Sequence, residues 1–285
     1  MMRKTLTAVA AMLLTASSLT AETLYFSAIP DEDETALIAR FEKVADYLEG
    51  ALGVDVQFVP VKSYAASVTA FRNDQVQLAW FGGLTGVQAR RLSPGAKAIA
   101  QGVEDQTFVT YFIANKALGL TPSDTFPEGI EGRTFTFGAK TSTSGRLMPE
   151  FHIRQETGKS PEDLFAKVGF SGDHSQTLRL VASGAWDVGA LNYSVYDKAE
   201  AEGAPQADDA VVIWKTPPYP DYNWTIRGDV DARFGDGFSD KVQAALIGLT
   251  DADVLASFPR SGFIPAQDSD YQPIEDVATE LGLLE

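Results

Sequence analysis

What most constrains this chain is a repeated unit: an apolar run, a turn of glycine and small hydroxyl residues, then an amphipathic helix. The unit recurs along nearly the whole length, and repeated strand–helix alternation argues for α/β layers with parallel sheets. Its clearest instance is TFTFGAKTSTSGRLMP, Thr134 to Pro149. β-Branched and aromatic residues alternate from Thr134 to Phe137, which predicts a short strand. Ser142, Thr143 and Ser144 then fall where a helix starting near Ser144 or Gly145 leaves its first N–H groups without partners. Gly145 lets backbone approach closely. A helix start with added hydroxyl donors suits an anion. An ordinary Ser/Thr cap has the same composition, so the rest of the chain must decide.

The first block of units runs from Leu24. Leu24 to Ala28 reads as a strand, and Pro30 with the acidic Asp31 to Glu34 run opens a helix. That helix has its apolar positions at Leu37, Ile38, Phe41, Val44, Ala45, Leu48 and Leu52, a 3.6-residue period. The acidic run is read as complementing the helix's positive end, not as a metal site. Val54 to Phe58 is the next strand, and Ser63 caps a helix that begins at Tyr64. Leu78 to Phe81 runs into Gly82-Gly83-Leu84-Thr85, another glycine turn before a helix. Strands follow at Ala96 to Ala100 and Phe108 to Ala114, the second long enough to leave one lobe for another.

A second block restarts after the Pro/Gly-rich loop Leu120 to Gly132. It holds the Thr134 strand, a helix start at Ser160-Pro161, and a strand Val168 to Phe170 followed by Ser171-Gly172-Asp173-His174. The strand Asp187 to Leu191 and the helix from Tyr193 come next. Val211 to Lys215 leads into the stiff segment Thr216 to Asp221, read as a return crossing. The expected organisation is two lobes, 22–114 plus 216–285 and 115–215, each with a mostly parallel sheet. Open parallel sheets bind ligands at the carboxyl ends of their strands, which places a site in the cleft between the lobes.

The chain has 285 residues, 45% hydrophobic and 22% charged, the composition of a folded globular protein. Residues 1–21 carry a basic start (Arg3, Lys4), an apolar run too short to span a bilayer, and a small-residue exit at Ala21, the pattern of a secretory signal peptide. With no cysteine there is no disulfide, thiolate metal site or lipoprotein anchor. The net charge of −16 argues against nucleic acid or anionic membranes as partners. It leaves room for a small anion, because salt screens distant surface charge within about 8–10 Å.

Candidate ligand residues gather at strand ends and helix starts: Tyr64; Trp80, Phe81, Gly82 and Gly83; Ser142, Thr143, Ser144 and Gly145; His174; and, on the return crossing, Asp221 and Tyr222. Hydroxyls, backbone N–H groups, one histidine and aromatic walls suit a small tetrahedral oxyanion. Ser144, His174 and Asp221 are the residue types of a hydrolase triad, but TSTSG lacks the first glycine of a G-x-S-x-G elbow. No metal-ligand spacing, Walker loop or dinucleotide fingerprint is present. Neither a metal nor a cofactor is expected, and no enzyme.

These residues resemble the periplasmic substrate-binding proteins of phosphonate, phosphite and phosphate ABC transporters. The resemblance covers essentially the whole chain after residue 21. It rests on SYAASVTAFRNDQVQLAWFGG (Ser63 to Gly83), STSG (Ser142 to Gly145), GDHSQTLRLVASGAWDVGALN (Gly172 to Asn192) and VIWKTPPYPDYNW (Val212 to Trp224). Within that family the chain resembles a branch described as selenate-binding, through YFSAIPDEDET, WFGGLTGVQARR, STSGRLMPEF, FSGDH and PDYNWTIRGDVDARFG. The resemblance implies a periplasmic binding protein fold with two hinge crossings, at Ala114-Asn115 and Thr216 to Pro220. It implies a monomer that delivers an oxyanion to an inner-membrane ABC permease.

It also implies that the Ser-Thr-Ser hydroxyls grip the ligand while Tyr64 and His174 donate from opposite sides. Two departures matter. Ser194 stands where aminoethylphosphonate binders use a glutamate for the amine, and Phe108 stands where some relatives have a tyrosine donor. Asp221 leaves two outcomes open. Facing the ligand, it favours an oxyanion that keeps a proton, such as phosphite or a phosphonate. Paired with Arg227 or a backbone N–H, it leaves room for fully ionised selenate or sulfate.

Overall fold

A computed structural model describes residues 22–284, so the expected signal peptide lies outside the described residues. The strands are β1 (Leu24–Ala28), β2 (Val56–Phe58), β3 (Leu78–Phe81), β4 (Lys97–Gly102), β5 (Thr110–Asn115), β6 (Thr134–Phe137), β7 (Lys167–Phe170), β8 (Val188–Asn192), β9 (Ala210–Lys215), β10 (Asn223–Ile226) and β11 (Phe263–Pro265). They form two sheets, ordered β11-β4-β10-β3-β1-β2 and β7-β6-β8-β5-β9. The two-lobed α/β architecture is as the sequence predicts.

Both sheets are mixed, not mostly parallel. The βα repeats that periodicity detects are parallel: β1 with β2 and β3, and β6 with β7 and β8. The antiparallel members are β5, which enters the second lobe, and β10 and β11, which complete the first. A crossing strand enters a sheet without a crossover helix, so nothing forces it parallel. β10 and β11 lie in stretches that the sequence reading takes as crossing and tail.

Aromatic packing supports each lobe. Phe26, Phe41, Trp80, Trp224 and Phe258 pack ring to ring inside the first. Phe112, Phe135, Phe137 and Trp214 do so in the second. β5 pairs with β8 and β9 along its whole length, so Ala114-Asn115 lies inside the second sheet. Phe108 instead pairs with Tyr219 in an isolated bridge between the sheets. We therefore place the outward crossing at Phe108-Val109, beside the return crossing at Thr216 to Tyr219. Among the described residues no helix is long and apolar enough to cross a membrane.

Candidate functional site

Four backbone segments point helix starts into the cleft. Ser63 caps Tyr64–Arg72, Gly82 precedes Gly83–Leu92, Ser142 caps the turn Thr143–Leu147, and Asp173 caps His174–Ala182. Tyr64, Thr143, Ser144, His174 and Asp221 are each at most 2% exposed, so the lobes are shut over them.

The Ser-Thr-Ser loop is a wide π-helical turn. Leu147 N–H reaches back to Ser142 C=O at 3.0 Å, and Met148 N–H to Thr143 C=O. Pro149, lacking an N–H, cannot bond Gly145 C=O as an α-helix requires, and that carbonyl instead accepts Gly138 N–H at 2.7 Å. The widened turn presents the three hydroxyls. π-turns of this kind recur at functional sites. Ser142 Oγ accepts Gly145 N–H at 2.9 Å, and Thr143 Oγ1 accepts Leu84 N–H from the other lobe at 3.0 Å. Gly145 is tightly packed: a Cβ there would sit 3.0 Å from Ser142 Oγ and 3.1 Å from Gly138 Cα and His174 Cε1, crowding the hydroxyl loop against the histidine.

His174 lies on the second lobe with Nε2 3.5 Å from both Tyr64 Oη and Ser144 Oγ. Its Nδ1 accepts Asn192 N–H at 3.2 Å. Desolvation lowers its pKa to about 4. The ring is therefore neutral near pH 7, its proton resides on Nε2, and it is a donor toward Tyr64 and Ser144. This rules out the triad. A catalytic histidine needs Nδ1–H held by the carboxylate and Nε2 free to take the serine proton, whereas here Nδ1 is an acceptor and Asp221 lies elsewhere.

Asp221 is fully buried on the return crossing. Its N–H donates to Asp105 C=O at 3.0 Å, and Oδ1 accepts Gly83 N–H at 2.8 Å. Oδ2 has no hydrogen-bond partner. Desolvation pushes the carboxyl up to about 7, against the smaller opposing pull of Gly83 N–H and the Thr143 and Ser144 hydroxyls. Arg227 is elsewhere, bound to Asp229, Asp74 and Phe71 C=O. Gly82 is closely packed: a Cβ there would lie 3.2 Å from both Asp221 Oδ1 and Thr143 Oγ1, and those two side chains would have to give way by a few tenths of an ångström.

Other expected residues stand behind the site. The Trp80 ring stacks on Tyr222 within the first lobe's aromatic core, and Phe81 packs edge-on against Phe71. Phe108 is buried at the crossing between Tyr193, Tyr219 and Tyr222. The Tyr222 hydroxyl is engaged twice, accepting from Asn192 Nδ2 at 3.1 Å and donating to Asp31 Oδ2 at 2.9 Å. Ser194 Oγ donates to Asn192 Oδ1.

Sequence reasoning missed Asp31 and Thr110. Asp31 is buried at the cleft, while the helix cap is Asp33 alone. Thr110 Oγ1 bonds Ser144 C=O and the Tyr219 hydroxyl, tying both crossings to the hydroxyl loop. Among the described residues there is no cluster able to hold a metal ion.

Comparisons with known proteins show the family. A family model described as "ABC transporter, phosphonate, periplasmic substrate-binding protein" matches residues 26–271. The "Probable ABC transporter phosphite binding protein PhnD1" of Prochlorococcus marinus (strain MIT 9301) is 37% identical over 90% of this chain and 89% of its own. The solved structure of PhnD1 from that organism with methylphosphonate superposes with a TM-score of 0.88 at 37% identity, covering 91% of this chain and 98% of that one. A binding protein component of an ABC phosphonate transporter from Pseudomonas aeruginosa shares the fold, with a TM-score of 0.79 at 22% identity over 90% of this chain and 85% of that one. The chain belongs to the family of periplasmic substrate-binding proteins of ABC phosphonate transporters, and its place in transport is ligand capture, not catalysis.

Proposed function

We propose that the ligand is a small phosphorus oxyanion with one proton to share near neutrality, phosphite or a short alkylphosphonate such as methylphosphonate. The observation that carries this is Asp221. Its Oδ1 is held by Gly83 N–H while Oδ2 is buried without a partner. A buried carboxylate against a fully ionised anion is repulsive in a low-dielectric cleft. Against a protonated phosphorus oxyanion it becomes an acceptor for the ligand's O–H. The Ser142, Thr143, Ser144 and Tyr64 hydroxyls with His174 Nε2–H supply the donors for the remaining oxygens. The relative whose solved structure holds methylphosphonate supports the same class.

Selenate remains the second reading. The donor set suits it, and a pKa raised to about 7 lets Asp221 itself hold the proton that selenate lacks. Aminoalkylphosphonates are disfavoured, since Ser194 contributes no carboxylate for an amine. A monomer suffices, because one chain supplies both walls of the cleft. Closure would be a hinge motion at the paired crossings, after which the closed form delivers its ligand to the permease.

Thermal melting of the protein from residue 22, with millimolar phosphite, methylphosphonate, phosphate, sulfate or selenate, tests the reading through ligand-linked stabilisation. Phosphite or methylphosphonate should raise the melting temperature most, with compaction in solution scattering. A larger shift with selenate or sulfate would reverse the assignment, and no shift with any of them would refute oxyanion capture.

A further inference from the structure

The buried hydrogen bonds beside the site close into a ring that crosses the cleft twice. His174 N–H donates to Asp31 C=O at 3.0 Å, from the second lobe to the first. Asp31 Oδ2 accepts the Tyr222 hydroxyl at 2.9 Å. That hydroxyl accepts Asn192 Nδ2 at 3.1 Å, returning to the second lobe. Asn192 N–H then donates to His174 Nδ1 at 3.2 Å. All four residues are at most 5% exposed.

We propose that Asp31, Tyr222, Asn192 and His174 form a closure latch, a ring of hydrogen bonds that is complete only when the lobes are shut and that holds His174, already an Nε2–H donor, in the closed cleft, so that shutting the lobes and gripping the oxyanion are one event. The inference rests on the oxyanion reading above.

Tyr222 is the only group in the ring that both accepts and donates through one atom, so it links Asn192 to Asp31 with no other partner able to serve both. Asn192 is held from two sides: its Oδ1 caps the next helix by accepting Ser194 N–H at 2.8 Å, which leaves Nδ2 for Tyr222. The Asn192 backbone N–H, at the end of β8, donates to His174 Nδ1 from within the same lobe. An imidazole accepting at Nδ1 carries its proton at Nε2. When the lobes part, the two cross-lobe bonds, Asn192 Nδ2 to Tyr222 and His174 N–H to Asp31 C=O, are lost together, whereas the Asn192 N–H bond to His174 Nδ1 lies within the second lobe and keeps the tautomer. The side-chain groups of Asp31, Tyr222 and Asn192 are engaged with one another. Their effect is on how long the closed complex lasts, and affinity differences among related complexes reside mostly in dissociation.

The experiment uses the protein from residue 22 with phosphite and methylphosphonate as probes, comparing the unaltered protein with Tyr222→Phe and Asn192→Ser. Phenylalanine keeps the ring stacked on Trp80 and removes the hydroxyl. Serine keeps a helix-cap acceptor but is too short to reach Tyr222, and it serves if the first variant fails to fold. Stopped-flow fluorescence should show association within about threefold of the unaltered protein and dissociation about tenfold faster or more. Nitrogen-15 spectra of labelled histidine should show His174 as the Nε2–H tautomer in the unaltered protein and in both variants, so that a change in dissociation reports the lost cross-lobe bonds and not a lost donor. Unchanged dissociation in variants that still bind would overturn the latch while leaving oxyanion capture intact. Failure of the unaltered protein to bind either probe would instead refute the reading beneath it.

Discussion

Gly83 N–H and Asp221 Oδ1 meet at 2.8 Å, joining the start of a first-lobe helix to the return crossing. The Thr143 and Ser144 hydroxyls also act on the carboxyl, and its second oxygen, Oδ2, is buried with no hydrogen-bond partner of its own. A donor-only oxyanion site has no use for such an atom, whereas a site for a protonated ligand requires one. Replacing Asp221 by asparagine keeps an acceptor for Gly83 N–H and puts an NH2 where the free oxygen was. Asp221→Asn should lose phosphite affinity by about 10- to 100-fold, the value of a hydrogen bond to a charged group. Its discrimination against sulfate and selenate should narrow correspondingly. Competition binding reads both, and unaltered selectivity would show that Asp221 is structural.

The raised Asp221 pKa carries a sign. The folded value, about 7, lies above the ordinary 3.8, so the closed form holds a proton that an open, solvated carboxyl would release. That favours closure in acid, and the advantage is lost as pH rises toward 7. The full span corresponds to about 4 kcal/mol as an upper bound. Ligand-free protein should therefore be more open at pH 8 than at pH 5 by solution scattering, and Asp221→Asn should flatten the difference. Equal radii at both values would mean that the carboxyl does not feel closure.

His174 shifts oppositely. Its pKa of about 4 lies below the ordinary 6.5, so its contribution to the ligand-free closed form is lost as pH falls through that window. An anion bound beside Nε2 favours the charged ring, so ligand should raise this pKa. Histidine NMR titration with and without phosphite measures it, and an identical midpoint would place the ligand away from His174.

Ser144→Ala removes a hydroxyl 3.5 Å from His174 Nε2. Binding of phosphite should weaken by about 10- to 100-fold. Neither protein should hydrolyse phosphate or sulfate esters, because His174 presents a proton to Ser144 instead of accepting one. Turnover in the unaltered protein that Ser144→Ala abolishes would restore the enzyme reading.

How much of this was legible without coordinates depends on locality. The starts at Tyr64, Gly83, Thr143 and His174 can be read because capping is chemistry among neighbours: Ser63, the glycine pair, Ser142 and Asp173 announce the turns they make. Asp31 is hidden because an acidic run before a helix is explained by its cap, and only the structure shows Asp33 alone doing that work. The signal was an acidic run longer than a cap uses. Thr110 offered less, a single hydroxyl at the edge of an apolar strand, and its bonds to Ser144 and Tyr219 join residues far apart in sequence. Trp80 and Phe81 were expected at the site because they precede the glycine turn, yet strand residues there point into the lobe core. β10 and β11 are short, and their pairing depends on the crossing that brings them back.

Titration calorimetry with phosphite, methylphosphonate, sulfate and selenate at pH 6.5 and pH 8.5 tests the central claim most directly. The account predicts tightest binding of phosphite or methylphosphonate at pH 6.5. At the higher pH that binding should weaken by up to about tenfold per unit, with uptake of a proton visible as buffer-dependent heat. Tight, pH-independent binding of selenate or sulfate without proton uptake would contradict it.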